Sequence, residues 1–237
     1  MPKRCYFMGL FKKKKRFADH DRIVIGENAK GSVVEGYNRL KDNILYMNAD
    51  GNTKVIQIES AGAKEGKTTV ACNLAVSLGL TDKKVLMIDL DFRRPKLHRV
   101  FDLSNEQGVA EYILGKSTIE EIIKTTQYKN VDIITRGAEI FNSSLVLVSE
   151  KFKEFIKTLR DEYDYIILDC APVLNVSDYI HITKVSDGVI FLIAYGSTTK
   201  AQVAEAIKEL RKNDAKILGT VFSMYESKYG NYNYYYY

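Results

Sequence analysis

Val85-Leu86-Met87-Ile88 and Tyr165-Ile166-Ile167-Leu168 are apolar at every position and too short to be core helices. Strands buried on both faces read this way, because helices cover each side of a parallel sheet. Residues 54–60, 131–135, 189–194 and 216–222 supply further strand-like runs. Between them the period changes. Residues 32–47 place Val33, Val34, Tyr37, Leu40, Ile44 and Leu45 at helical spacing, and 67–80 do the same through Val70, Leu74 and Leu78. Helices are also predicted at 108–114, 118–124, 145–161, 178–185 and 200–213. Alternation of this kind predicts an α/β fold with a mostly parallel sheet covered by helices on both faces. The 237 residues suffice for one such domain and are tight for two.

Three segments are expected: a basic, flexible stretch over 1–30, a folded domain over 31–222, and a disordered tyrosine-rich tail over 223–237. The chain has 35 basic and 30 acidic residues, but seven of the basic ones fall within residues 1–16, which hold no acid. The remainder carries 28 against 30, so a general nucleic-acid-binding surface is not indicated. Three scattered cysteines without a C-x-x-C fit a reducing compartment and argue against a disulfide framework or zinc site. The longest apolar runs are of strand length, far short of the roughly 20 residues of a membrane helix. Residues 1–10 lack the sustained apolar stretch of a signal peptide. A cytoplasmic protein is expected.

Ligands of such folds bind beyond the carboxyl ends of the strands, and the unusual residues fall there. After the first strand comes Ala61-Gly62-Ala63-Lys64-Glu65-Gly66-Lys67-Thr68-Thr69. Strict Walker A has Gly where Ala61 stands, and the relaxed form is satisfied. A loop of successive N–H groups can wrap a phosphate, Gly66 permits close approach, and a helix N-terminus adds partial positive charge. The strand before and the helix after are both present, so Gly62 to Thr69 read as nucleotide-binding. Lys67 would reach the β- and γ-phosphates, and the Thr68 hydroxyl would ligand Mg²⁺. The fold class sharpens to a P-loop NTPase.

The second strand runs into Asp89-Leu90-Asp91-Phe92-Arg93-Arg94. Strand alternation puts Asp89 and Asp91 on one face, where two carboxylates suit a metal's water shell and acceptance of a hydroxyl proton. An acidic turn paired with Arg93 and Arg94 is the blander reading. A third acid, Asp169, closes the apolar run 165–168 in the manner of a Walker B, in which the carboxylate orients Mg²⁺. Three such motifs in this order, each after its own strand, are much harder to obtain by chance than any one of them.

The set Ala61–Thr68, Asp89-Leu90-Asp91-Phe92-Arg93 and 166–169 is followed by a terminal cluster of tyrosines. Seven of the sixteen tyrosines, namely Tyr225, Tyr229, Tyr232, Tyr234, Tyr235, Tyr236 and Tyr237, lie in the last thirteen residues. In this combination the chain resembles the bacterial tyrosine kinases (BY-kinases) of capsular and exopolysaccharide synthesis, over roughly residues 30–237. The resemblance implies Mg·ATP-dependent tyrosine phosphorylation, with the terminal tyrosines as acceptors between subunits. It implies Lys67, Asp89, Asp91 and Asp169 as catalytic residues. Thr68, Asp89 and Asp169 would serve the metal, and Asp89 or Asp91 would take the phenol proton. Flexible phenols suit entry into a neighbour's site, because a segment so poor in aliphatic residues cannot fold on itself.

Family members often carry Glu-x-x-Arg-x-x-Arg on the first helix, where subunits pack into a ring. The matching positions here are Glu35, Asn38 and Lys41, and Lys is not a geometric substitute for Arg. Ala63-Lys64 stands where a proline is frequent, and Cys170-Ala171-Pro172 replaces the commoner Thr-Pro-Pro. The soluble Gram-positive-type subunit is implied. It would be recruited to the inner face of the membrane by the cytoplasmic tail of a chain-length-determinant (Wzz-like) activator, form a ring when unphosphorylated, and be reset by a protein-tyrosine phosphatase. The basic run 12–16 is consistent with weak attraction to anionic lipid, or with a solvated charge run. A ParA/MinD-like positioning ATPase shares the three acids but usually has a second lysine where Gly62 stands. A non-catalytic nucleotide-binding adaptor is the other rival.

Overall fold

The structure is a computed structural model that describes residues 23–26, 30–140 and 142–224. Most of the basic segment and all seven tail tyrosines lie outside those residues. In chain order the elements are α1 (Ser32–Met47), β1 (Val55–Ser60), α2 (Lys67–Gly79), β2 (Val85–Asp89), α3 (Leu97–Val100), α4 (Val109–Ile113), α5 (Ile119–Ile122) and β3 (Ile123–Thr125). There follow β4 (Val131–Ile134), α6 (Ser143–Val148), α7 (Glu150–Glu162), β5 (Tyr165–Asp169), α8 (Tyr179–Thr183), β6 (Gly188–Ala194), α9 (Lys200–Lys212) and β7 (Ile217–Ser223). The seven strands form one sheet in the order β3-β4-β2-β5-β1-β6-β7. Every pairing is parallel except β3 with β4.

Side-chain alternation sends each strand's residues to two different cores. Val85 and Met87 of β2, Tyr165 and Ile167 of β5, and Ile56 and Ile58 of β1 pack with Val70, Leu74 and Leu78 of α2. Leu86, Ile88, Ile166 and Leu168 face Phe152, Phe155, Ile156 and Leu159 of α7. On that second side Val189 and Phe191 of β6 meet Ala206 and Leu210 of α9. Each such aliphatic side chain contributes about 1.5–3 kcal/mol when removed from water, so both faces must be covered.

The local differences from expectation have identifiable causes. The stretch expected as one helix over 118–124 starts with a Thr118/Glu121 capping box, then turns extended at Ile123. There it pairs antiparallel with β4, Ile123 opposite Ile134. The helix expected over 145–161 is two helices. Ser149 is extended (ψ 144°) and its Oγ accepts from the Phe152 N–H, so it ends α6 and caps α7. The one-turn helix α3 was not foreseen. Among the described residues no helix is long and apolar enough to cross a membrane.

Candidate nucleotide site

Parity along the strands places the acids. Asp89 shares the side of Val85 and Met87, and Asp169 that of Tyr165 and Ile167, so both carboxylates face α2. They are also register neighbours, Asp89 opposite Asp169 across the β2–β5 pair. Both are buried, at 0% and 1% exposure. Burial raises both carboxyls above the ordinary range; for Asp89 the neighbouring Asp169 charge adds to it. For Asp169 the Thr68 hydroxyl and Lys67 act in the opposite direction.

The phosphate loop bridges β1 and α2. Gly66, the N-cap, has φ +93°, a left-handed conformation open to glycine, and brings no side-chain cap to the first turn of α2. Ser60 Oγ donates to the Gly62 carbonyl at 2.8 Å, and the Gly62 N–H donates to Glu65 Oε1 at 3.1 Å. Lys67 Nζ donates to Ser60 Oγ at 2.9 Å, and Thr68 Oγ1 donates to Asp169 Oδ2 at 2.7 Å.

Above these residues lies a cavity of about 380 Å³. Its walls are residues 63–69, then Asp91, Arg93, Arg94 and Lys96, and on the far side Ala171, Pro172, Asn175 and Val176. Of the residues expected in the site, Ala63 to Thr69 and Asp91 line the cavity. Gly62, Asp89 and Asp169 do not line it. Asp89, the last residue of β2, and Asp91 just beyond it have different surroundings. Asp89 Oδ1 accepts from the Asp91 N–H, and Oδ2 from the N–H groups of Lys96 and Leu97, so this carboxylate holds the turn into α3. Asp91 is half-buried, and its Oδ1 accepts from the N–H groups of Arg93 and Arg94.

Asp169 Oδ1 is buried with no partner. Together with Asp89 and the Thr68 hydroxyl it makes an all-oxygen donor set, and a dication relieves the repulsion of two adjacent carboxylates. That chemistry suits Mg²⁺. Among the described residues no group of three or more His, Cys, Asp or Glu could hold a metal by itself. Nucleotide oxygens and water would complete the shell, as is usual for Mg²⁺.

Sequence reasoning passed over Ser60, Ser223 and Glu59. Ser60 partners Lys67, and Ser223 Oγ donates to the Glu65 carbonyl. Glu59, on the opposite face of β1, is fully buried and pushed up to about 8 by burial. Its Oε1 accepts from Gln57 Nε2, while Gln57 Oε1 accepts from Thr183 and Ser186 beside α8. Two polar residues at alternate positions of an otherwise apolar run were the available signal. The expected ring residues lie on α1. Glu35 is exposed and pairs with Arg39, Asn38 is half-buried, and Lys41 pairs with Asp42.

A loop of this shape after the first strand, with two strand-end acids under it, defines a P-loop nucleotide-binding protein. The chain matches the AAA domain family over residues 53–219. It is 36% identical to tyrosine-protein kinase YwqD of Bacillus subtilis (strain 168) over 202 residues, 85% of each chain. The crystal structure of the chimerical protein CapA2B2 superposes with a TM-score of 0.81 at 29% identity, covering 84% of this chain and 88% of that one. The kinase domain of Escherichia coli tyrosine kinase ETK gives 0.82 at 28% identity, covering 89% and 83%. Septum site-determining MinD of Pyrococcus horikoshii, complexed with Mg-ADP, is less similar, with a TM-score of 0.63. The chain belongs to the bacterial tyrosine-protein kinases, the BY-kinases.

Proposed function

We propose that this chain transfers the γ-phosphoryl group of Mg·ATP to tyrosine. The phenol oxygen forms the new P–O bond, the bond to the β-phosphate breaks, and ADP leaves. The observation that carries the reading is the convergence of Lys67, Thr68 and Asp91 on one cavity, with Asp169 bonded to Thr68. Lys67 and the loop amides stabilise charge on the transferring group. Thr68, Asp169 and Asp89 would hold Mg²⁺ and its waters, which supplies further charge neutralisation when bound. Asp91 is the base. It lines the cavity, whereas both oxygens of Asp89 accept backbone N–H groups. A phenol with a pKa of about 10 needs such help at neutral pH.

The acceptors are Tyr225, Tyr229, Tyr232, Tyr234, Tyr235, Tyr236 and Tyr237 of a neighbouring subunit, in a ring packed through α1 by Glu35, Asn38 and Lys41. Each phosphate adds about −1.5 to −2 charges, which drives ring and tail apart until a phosphatase removes them. Resemblance to the family supports a membrane-anchored activator, recruitment to the inner face of the membrane, and a role in capsule or exopolysaccharide synthesis and export.

Phosphotyrosine mass spectrometry of the chain with Mg·ATP, with and without the cytoplasmic segment of a candidate activator, tests this. Phosphate on Tyr225 to Tyr237 that disappears in Lys67→Met is the expected result. ATP hydrolysis with an unmodified tail in both conditions returns the positioning-ATPase reading.

A further inference from the structure

We propose that Ser223 is a positioning residue of the phosphate loop. Through it, the strand from which the tyrosine tail departs holds the nucleotide site in its binding shape. The inference rests on the nucleotide reading above.

Ser223 ends β7, where its carbonyl accepts from the Tyr195 N–H at 2.9 Å and it pairs with Ala194 of β6. From that anchored position its Oγ donates to the Glu65 carbonyl at 2.6 Å, a contact between residues 158 positions apart. A Cβ placed on Gly66 would lie 3.5 Å from Ser223 Cβ, so the side chain rests against the Glu65–Gly66 peptide itself.

That peptide is planar and trans, so its C=O and N–H point in opposite directions. Holding the Glu65 carbonyl against β7 therefore turns the Gly66 N–H away from β7. Gly66 lines the cavity and caps α2. A peptide flanked by glycine rotates at little steric cost, and without an anchor this one can present its carbonyl oxygen to an anion instead. Ser60 and the Glu65 side chain secure the start of the loop around Gly62. Ser223 secures its end, from a different strand. Met224, the last described residue, follows directly with φ +57°, so the described end of the chain lies beside the loop.

The experiment measures ADP affinity by calorimetry on the full chain and on Ser223→Ala and Ser223→Thr, with ATP kinetics alongside. Loss of one hydrogen bond predicts roughly three- to tenfold weaker ADP binding for Ser223→Ala. Its KM for ATP should rise by a similar factor with kcat nearly unchanged, and Ser223→Thr should restore both. Unchanged affinity in Ser223→Ala overturns the proposal. So does equal loss in Ser223→Thr, which would assign the effect to packing rather than to the hydroxyl. If the wild-type chain binds no ADP, this inference and the nucleotide reading fall together. ADP binding that depends on the Ser223 hydroxyl, without tyrosine phosphorylation, sustains this inference and overturns only the kinase reading.

Discussion

The Thr68 hydroxyl donates a 2.7 Å hydrogen bond to Asp169, tying the first turn of α2 to the end of β5 between residues 101 positions apart. The bond joins two motifs that look independent along the chain. It also partly offsets the burial of a carboxylate whose other oxygen has no partner. Thr68→Val replaces the donating hydroxyl by a methyl group at nearly constant shape. It should destabilise the fold by about 1–3 kcal/mol and abolish the Mg²⁺ dependence of ADP binding, read by titration with and without the metal. Thr68→Ser should preserve both.

Asp89 at the end of β2 and Asp91 beyond it should respond differently to amidation. Asp91→Asn keeps the fold, because its turn toward Arg93 and Arg94 uses one oxygen, and should slow phosphotransfer by about 10²–10⁴. Asp89→Asn places an amide group against three N–H donors, and should lower stability by about 1–3 kcal/mol. Urea unfolding together with phosphotransfer rates separates the two effects.

Glu59 should make stability pH-dependent. Its carboxyl rises from 4.5 to about 8, chiefly through burial, against the opposing effects of Gln57 and Lys67. Between those values the folded chain keeps a proton that the unfolded chain releases, so stability falls as pH rises through that window. Glu59→Gln should make the fall shallower, leaving the part that the buried Asp89 and Asp169 contribute, and leave the chain more stable at pH 8, by on the order of a few kcal/mol. Denaturation at pH 5 and pH 8 for both chains checks the sign.

Asp187 guards the entry to β1. Its Oδ2 accepts from the N–H groups of Lys54 and Val55 at 2.8 and 2.7 Å, and its Oδ1 from Arg160 at 2.9 Å. Asp187→Ala leaves two strand-end donors and a half-buried guanidinium without their acceptor. A loss of about 2–3 kcal/mol is expected, visible as a lower urea midpoint, with ADP affinity unchanged because the residue lies at the opposite end of β1 from the loop.

Local order was legible without coordinates. The apolar runs at 85–88 and 165–168 announced buried strands because a parallel sheet covered by helices exposes neither face. The loop from Ala61 to Thr69 was legible too, since a turn that wraps a phosphate needs glycine and a following helix. Where the pattern was local but ambiguous it misled. Residues 118–125 carry a helix start and a β-branched end, and pairing with β4 decided for a strand at Ile123.

Residue type and spacing thus determined the strand–loop–helix unit, the three strand-end acids and the tail of phenols, because these rest on periods of two and 3.6 residues and on local backbone chemistry. Tertiary structure alone decided which acids meet. The strand order β3-β4-β2-β5-β1-β6-β7 makes Asp89 and Asp169 neighbours and brings Ser223 against Glu65. Strand order follows from how crossover helices pack on the two faces of the sheet, a long-range burial problem that no single segment encodes. The same packing covers Glu59 completely and so turns an ordinary acid into one that keeps its proton at neutral pH.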